Sequence, residues 1–157
     1  MPEPREFRIL QSLQTALRGI ATADGYFHDV AAVAVKLDPN AEVETLIAEA
    51  SGRPFIVLEL RPDVWAYQPA NRAQLTLPVT VHFVNDSNVA DDDSFLKTIT
   101  RLWADVETAL AADITRGGDA TDTRINGRDF RSFDGGLAWA IVPLTITVNR
   151  SYGLPTG

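Results

Sequence analysis

Hydrophobic positions along the chain repeat with two periods, which predict helices and strands respectively. Between residues 5 and 20, apolar side chains recur at spacings of three and four, so they share one face of an amphipathic helix. The same spacing between residues 95 and 110 predicts a second long helix, running to about residue 112. We expect one of the three consecutive aspartates at 91–93 to cap it, because their carboxylates can accept hydrogen bonds from free amides. A short helix is expected over about residues 40–50.

Other stretches show the alternation or the short apolar runs that are typical of strands. Strands are expected at 26–37, 55–60, 74–84 and 137–149. Pro78 indicates an edge position or a bulge, and Pro143 indicates a bulge where the alternation shifts. Residues 61–72 are expected to be irregular or a hairpin. Tandem strands joined by local loops are most simply antiparallel.

This order of elements predicts an α+β fold: a mainly antiparallel β-sheet with two long amphipathic helices packed on one face. At 157 residues the chain has the length of a single domain, 1–157. Residues 113–136 are expected to form an extended hairpin or arm, because Asn126-Gly127 is a hairpin signal. Residues 150–157 are expected to be a loose C-terminal tail.

Composition narrows the function classes. The formal charge is −7, so we expect no binding to nucleic acid through phosphate neutralisation. The chain has no cysteine, which excludes disulfides, iron–sulfur clusters, thiolate zinc sites and cysteine nucleophiles. No apolar run approaches the roughly 20 residues that span a bilayer, so no membrane association is expected. Synthesis in a reducing cytoplasm is expected.

Candidate chemistry is sparse. The two histidines, His28 and His82, have no acidic or histidine partner at a helix-ligand spacing, and His82 is expected to face solvent or a neighbouring element. The aspartates at 91–93 lack the spacing of a calcium loop, and the glycine pairs are typical of turns rather than phosphate loops. We therefore expect no enzymatic activity, no metal and no cofactor.

Aromatic and arginine side chains in the two irregular segments are the candidate interface residues. Trp65 and Tyr67 lie between two prolines, where they either form an interface or fold back over the edge of the core. The segment 116–134 is either an arm that becomes ordered on a partner or a solvated hairpin. The candidates are Trp65, Tyr67 and Arg72 on one loop, and Arg128, Arg131 and Phe133 on the arm.

Nearly the whole chain resembles the tail terminator proteins of tailed bacteriophages. The opening helix RILQSLQTALRGI is followed by ADGYFHDVAAV, and a long helix, LKTITRLWADVETALAAD, precedes a Gly-Gly turn. Between them are a strand that begins Gly-Arg-Pro-Phe-Ile-Val and the segment LTLPVTVHFVND. A closing hydrophobic strand ends in Asn-Arg-Ser-Tyr. The similarity lies in these patterns rather than in signature residues.

The resemblance implies a structural virion protein at the tail and neck. Members of the family form a hexameric ring that caps the tail tube, stops tube polymerisation and presents a surface to the head-completion, or stopper, proteins of the neck. In contractile tails a related protein also contacts the sheath. The implied partners are thus five other copies, the major tail tube protein and a neck protein, with sheath protein added if the tail is contractile. DNA would pass through the lumen without specific binding.

Two other interpretations stay open on the sequence. One is another neck, tail-completion or tube-like phage protein. The other, from a different class, is a small cytosolic enzyme or ligand-binding α+β domain. An enzyme should have a deep pocket with convergent polar groups, whereas a terminator should form a sixfold ring or bind tube ends.

Overall fold

A computed structural model describes residues 3–36, 40, 42–50, 52–60, 64–68, 72–87, 90–133 and 136–151. The side chains at 64–68, 72, 73, 133, 150 and 151 lie outside this description. The described part contains three α-helices and seven strands. The helices are α1 (Arg5–Arg18), α2 (Val43–Glu49) and α3 (Asp92–Ala111). The strands are β1 (Ala32–Lys36), β2 (Phe55–Leu60), β3 (Val64–Gln68), β4 (Arg72–Asp86), β5 (Asp122–Ile125), β6 (Asp129–Phe133) and β7 (Leu137–Ser151).

All seven strands form one mixed sheet, so the fold is α+β. The strand order is β1-β2-β4-β7-β5, with β3 also paired to β4 and β6 also paired to β7. The central strands, β4 and β7, pair in antiparallel orientation over all fifteen residues of each strand. Their alternating side chains bury one face completely, which is why the period-two pattern was visible in the sequence.

The pairing of β1 with β2 differs from the expectation that tandem strands are antiparallel. These two strands are parallel, with Ala32 opposite Phe55 and Lys36 opposite Glu59. Parallel strands cannot be joined by a tight turn and need a crossover. Helix α2 supplies that crossover, since it lies between β1 and β2 in the chain. The sequence predicts the short helix, and the crossover through it makes β1 parallel to β2.

Two prolines lie where one neighbouring strand ends and the next begins. On one side of β4, β2 pairs with residues 79–84 and β3 with residues 72–76, so Pro78 lies in the gap. On the outer side of β7, β5 pairs with residues 144–147 and β6 with residues 137–141, so Pro143 also lies in a gap. A proline has no N–H to donate, and these gaps need none.

This arrangement corrects two expectations. The pairing of β4 with β7 runs through Pro143 without interruption, so β7 has no bulge there. Asn126-Gly127 does not turn a hairpin, because β5 and β6 both pair with β7 and not with each other. Instead the dipeptide absorbs a one-residue change of register between two collinear strands. Within 113–136, residues 122–133 therefore lie along the sheet edge as β5 and β6.

The two long helices pack against one face of the sheet. Helix α1 ends near residue 18, two residues before the expected end, and α3 covers almost the range that its spacing predicted. The core on this face is formed by side chains of α1, α3 and alternate positions of β2, β4 and β7: Ile9, Leu13, Leu17, Ile56, Leu58, Leu75, Leu77, Val79, Val81, Phe83, Ile99, Leu102, Val106, Ala140, Val142, Leu144, Ile146 and Val148.

The opposite face carries a smaller core under α2. Val43 and Ile47 of this helix pack on a cluster from β2, β4 and β7 that includes Val57, Val84 and Trp139. Helices thus cover both faces, whereas the sequence placed them on one.

The cap of α3 is confirmed. The Asp91 carboxylate accepts from the amides of Asp93 and Ser94, at 3.2 and 3.4 Å. Among the described residues no helix is long and apolar enough to cross a membrane. The closing strand β7 extends to Ser151, two residues beyond the expected end, and the rest of the expected tail, 152–157, lies outside the described residues.

Candidate functional site

The structure separates the predicted interface residues into three places. Trp65 and Tyr67 lie in strand β3, not on a loop, and Arg72 begins β4, where it is opposite Gln68. The β3–β4 pairing is the hairpin alternative expected for residues 61–72. The side chains of these three residues lie outside the described part of the chain, and so does that of Phe133 at the end of β6.

Arg128 and Arg131 are close in sequence but contact opposite sides of the sheet. Arg128 lies on the α3 side, where its guanidinium donates to both carboxylate oxygens of Glu107 at 2.5 and 2.6 Å. Arg131 lies on the α2 side, 5.3 Å from the centre of the Trp139 ring, and its Nη1 is 3.9 Å from Glu44. Their acidic partners therefore lie on different helices, although both side chains also line one cleft of about 510 Å³ on the α2 side of the sheet.

Aromatic side chains meet between α3 and β6 at the edge of the sheet. The Phe130 ring lies 6.0 Å from the rings of both Phe95 and Trp103, in edge-to-face geometry. The Trp103 Nε1–H donates to the carbonyl of Asp129 at 3.0 Å, which fixes the indole against β6. Beside this cluster is a groove of about 450 Å³, here called the aromatic groove, lined by Asp92, Phe95, Leu96, Phe130 and Ser132.

The aromatic groove remains open to solvent. Leu96 is 49% exposed and Phe130 is 45% exposed, and both belong to regular elements that hold them in place. Exposed large apolar side chains that lie together on rigid elements are typical of interaction sites. Leu96 falls within the apolar spacing that predicts α3, and a period of 3.6 does not distinguish the middle of a buried stripe from its margin.

A second exposed aromatic side chain, Phe27, lies at the other flank of α3. Its amide donates to Asp105 Oδ1 at 2.9 Å, and the amide of His28 donates to Oδ2 at 3.0 Å. His28 Nδ1 makes a third contact with this carboxylate at 2.8 Å. The Asp105 side chain is only 2% exposed, so a buried carboxylate ties the loop to the helix. The Phe27 ring is 55% exposed, with Arg101 stacked on it at 5.0 Å.

A polar cleft of about 510 Å³ lies on the α2 side of the sheet, and His82 is buried at its base. Of the two expected alternatives for His82, solvent or a neighbouring element, the neighbouring element is correct: only 7% of its side chain is exposed, and it contacts Trp139 and Glu59. Its Nδ1 accepts from Trp139 Nε1–H at 3.0 Å, since an indole can only donate. Its Nε2 is 3.2 Å from Glu59 Oε1 and donates to it.

The protonation of this cluster follows from its surroundings. Burial lowers the pKa of His82 below its ordinary value, against the opposing effect of Glu59. For Glu59, burial acts to raise the pKa, but hydrogen bonds from His82 and Lys36 outweigh it and hold the pKa below its usual value. Lys36 Nζ lies 3.2 Å from Glu59 Oε2. The cluster is therefore a series of hydrogen bonds in which Trp139 donates to neutral His82, and His82 and Lys36 both donate to Glu59.

A third surface, a groove of about 710 Å³, lies between α1 and the turn that follows α3. Its polar groups hold the turn in place. Arg8 donates to Asp119 at 2.8 Å, and the buried Arg116 donates to the carbonyl of Leu110 at 2.6 Å. Arg116 has a φ of 48°, in the left-handed region, and its side chain satisfies a carbonyl at the end of α3. These contacts give the polar side chains of this groove a structural role, which is to hold the turn after α3 against α1.

Within the described part of the chain, no three histidine, cysteine, aspartate or glutamate side chains cluster so that they could hold a metal ion. Comparison with known proteins finds no family model that matches the chain and no curated protein that matches it.

Proposed function

We propose that this chain is a tail terminator: a structural protein of the phage virion that assembles as a hexameric ring, caps the tail tube and stops its polymerisation. Its outer surface would then receive the head-completion protein of the neck. The proposal rests on the resemblance of nearly the whole chain to this family. The structural observation that supports it most is the presence of two separate, rigid, exposed aromatic surfaces on one small domain, Phe27 and the aromatic groove.

The sheet edges also suit a ring subunit. Among the described strands, β1, β3, β5 and β6 each pair on one side only. A ring with head-to-tail contacts needs two different surfaces on each subunit, and these edges and aromatic side chains can supply them. The family fold, a sheet with helices packed on one side, is consistent with α1 and α3. The short helix α2 on the opposite face is a feature that the resemblance did not lead us to expect.

The negative charge fits a ring that surrounds DNA. Six copies at −7 each carry a formal −42, and a lumen lined by part of this charge would repel the duplex rather than bind it. DNA could then pass through without being held. Replacing lumen acids by lysine should slow DNA ejection or disturb assembly. Unchanged ejection and assembly in such variants would contradict this part of the proposal.

One observation favours the ligand-binding alternative, namely the polar cleft around His82. The described polar groups at its base, however, bind one another: Lys36 pairs with Glu59, and Glu59 with His82. The two described buried side-chain nitrogens that have no hydrogen-bond partner belong to Arg5 and Arg116, neither of which lines this cleft. A site that recognises a polar ligand keeps convergent groups available for it. Because these groups are paired with one another, the cleft is weak support for a ligand-binding site and does not outweigh the resemblance.

The direct test is the mass and shape of the assembled protein. Size-exclusion chromatography with light scattering should give a hexamer, either for the protein alone at high concentration or after the cognate tube protein is added. Negative-stain images should then show sixfold rings on tube ends. A compact monomer under both conditions would contradict the proposal and favour the small-domain alternative. Neighbouring genes that encode a major tail protein and a tape-measure protein would support the terminator.

A further inference from the structure

Phe27 has the properties of a preformed contact residue. Its backbone is held by the buried carboxylate of Asp105, and Arg101 stacks on its ring, yet more than half of the side chain is exposed. A side chain that is already held in place loses little conformational entropy when a partner covers it. Arg101 and the other described neighbours leave 55% of Phe27 exposed, although the fold uses a buried carboxylate to fix its position.

The aromatic groove has matching properties of shape and chemistry. Phe95, Leu96 and Phe130 form its apolar lining, and its volume is about 450 Å³. An apolar cavity of about 150 Å³ is enough to hold a benzene molecule. The groove therefore has room for a phenylalanine ring, and edge-to-face contact with the exposed Phe130 would be favourable.

The two features cannot meet within one copy. Successive residues of a helix are turned by about 100°, so Arg101 and Trp103 are turned by about 200° relative to each other about the α3 axis. Arg101 contacts Phe27, and Trp103 contacts Phe130 at the groove. The buried residues of α3, which include Leu102 and Val106, lie between these flanks. Phe27 and the groove therefore face away from each other on opposite sides of the helix.

The exposed charges that α3 places beside the two features are opposite in sign. The flank that carries Phe27 presents Arg101, with Lys97 one turn earlier on α3, and both side chains are exposed. The groove has Asp92 in its lining and the exposed Asp93 beside it at the start of α3. A copy that approached with Phe27 first would bring its Arg101 towards Asp92, which favours this orientation over the reverse.

We propose that Phe27 of one copy inserts into the aromatic groove of the next copy, with Arg101 facing Asp92 of that copy. The contact joins two different surfaces, so it is heterologous. An open oligomer therefore has one free Phe27 at one end and one free groove at the other, until the two meet and a ring closes. This inference rests on the proposed function, because it identifies the contact between neighbouring subunits of the ring.

Cysteine cross-linking tests the contact directly, since the chain has no cysteine of its own. Phe27→Cys and Leu96→Cys are made as separate variants, mixed and oxidised at protein concentrations well above those at which the wild type assembles, so that the weaker association of the truncated side chains is offset. The mixture should give cross-linked dimers, and either variant alone should give none. The double variant should give a ladder that ends at the ring. Phe7→Cys with Leu96→Cys is the matched control, because Phe7 is equally exposed at 49% but lies on α1. Cross-linking of the control pair at a similar yield would overturn the inference.

Truncation provides an independent measurement. Phe27→Ala and Leu96→Ala should each weaken self-association about tenfold or more, which is typical of a central contact residue. Both retain the backbone amides, and alanine is well tolerated in a helix, so far-ultraviolet circular dichroism should be unchanged. The two changes together should cost little more than either alone, since they remove the same contact. Phe7→Ala should assemble normally. Additive effects of Phe27→Ala and Leu96→Ala, or wild-type association of both, would overturn the contact.

The outcomes separate this inference from the proposed function. Sixfold rings on tube ends without the Phe27–Leu96 cross-link would overturn the contact and leave the terminator function standing. Cross-linked dimers or open filaments that never cap tubes would support the contact and contradict the terminator function. Absence of both would overturn both.

Discussion

Asp105 allows a quantitative test of how the fold holds its exposed loop. Its buried carboxylate accepts from the amides of Phe27 and His28 and from His28 Nδ1, at 2.8–3.0 Å. In Asp105→Ala all three contacts are lost, and the two part-buried amides lose their acceptor. Each unsatisfied buried amide costs about 1–3 kcal/mol, so two of them cost about 2–6 kcal/mol. We therefore expect Asp105→Ala to lower the free energy of unfolding by about 2–6 kcal/mol.

Urea denaturation followed by tryptophan fluorescence measures this loss, and thermal denaturation checks it. For a domain of this size about 2–4 °C of Tm is lost per kcal/mol, so the fall should be roughly 4–24 °C. Asp105→Asn keeps the side-chain volume but places an NH₂ group towards a donor. Its free energy of unfolding should therefore lie between those of Asp105→Ala and wild type. Asp93→Ala is the control: its exposed carboxylate lies in the first turn of α3 and should contribute less than about 1 kcal/mol. If Asp105→Ala unfolds within about 1 kcal/mol of wild type, the carboxylate does not anchor the loop.

Three further predictions concern separate parts of the chain. Burial holds the pKa of His82 below 6.5, so below that pH the unfolded chain takes up a proton that the folded chain does not, and stability falls with acid. In His82→Gln this fall between pH 6.5 and 5 should be smaller in urea titrations, and an identical fall would contradict the account of the cluster. Asp91→Ala should lower the free energy of unfolding by about 1 kcal/mol through loss of the α3 cap, and a neutral result would refute the cap's contribution. Trp65→Ala should impair ring assembly with little loss of monomer folding, and normal assembly would count against β3 as an interface.

Elements that bury a single face were predictable from the sequence. Helices α1 and α3 followed from the spacing of their apolar residues, and β2, β4 and β7 from apolar runs or alternation, because burial of one face fixes the period. The parallel pairing of β1 was missed, since alternation shows which face of a strand is buried but not which strand lies beside it. Asn126-Gly127 was misassigned because the same dipeptide permits a hairpin turn and a change of register between collinear strands.

The polar contacts that define the candidate surfaces could not be found from sequence spacing. Asp105 is separated from His28 by 77 residues and Glu59 from His82 by 23, so only the packing of α3 and the sheet brings them together. Helix-ligand spacing is a local test and does not detect such pairs. The exposure of Leu96 and Phe130 likewise depends on where α3 begins relative to β6. The acidic composition and the absence of cysteine, by contrast, are read directly from the sequence.

The central claim is that this protein ends a growing tail tube, and tube elongation tests it most directly. Purified tube protein is allowed to polymerise with and without this chain, at ratios well below one copy per tube subunit, and tube lengths and ends are examined by negative-stain microscopy. The account predicts that elongation stops and that each capped end carries a sixfold ring. Tubes that grow to the same length with bare ends, at every concentration of this protein, would contradict it.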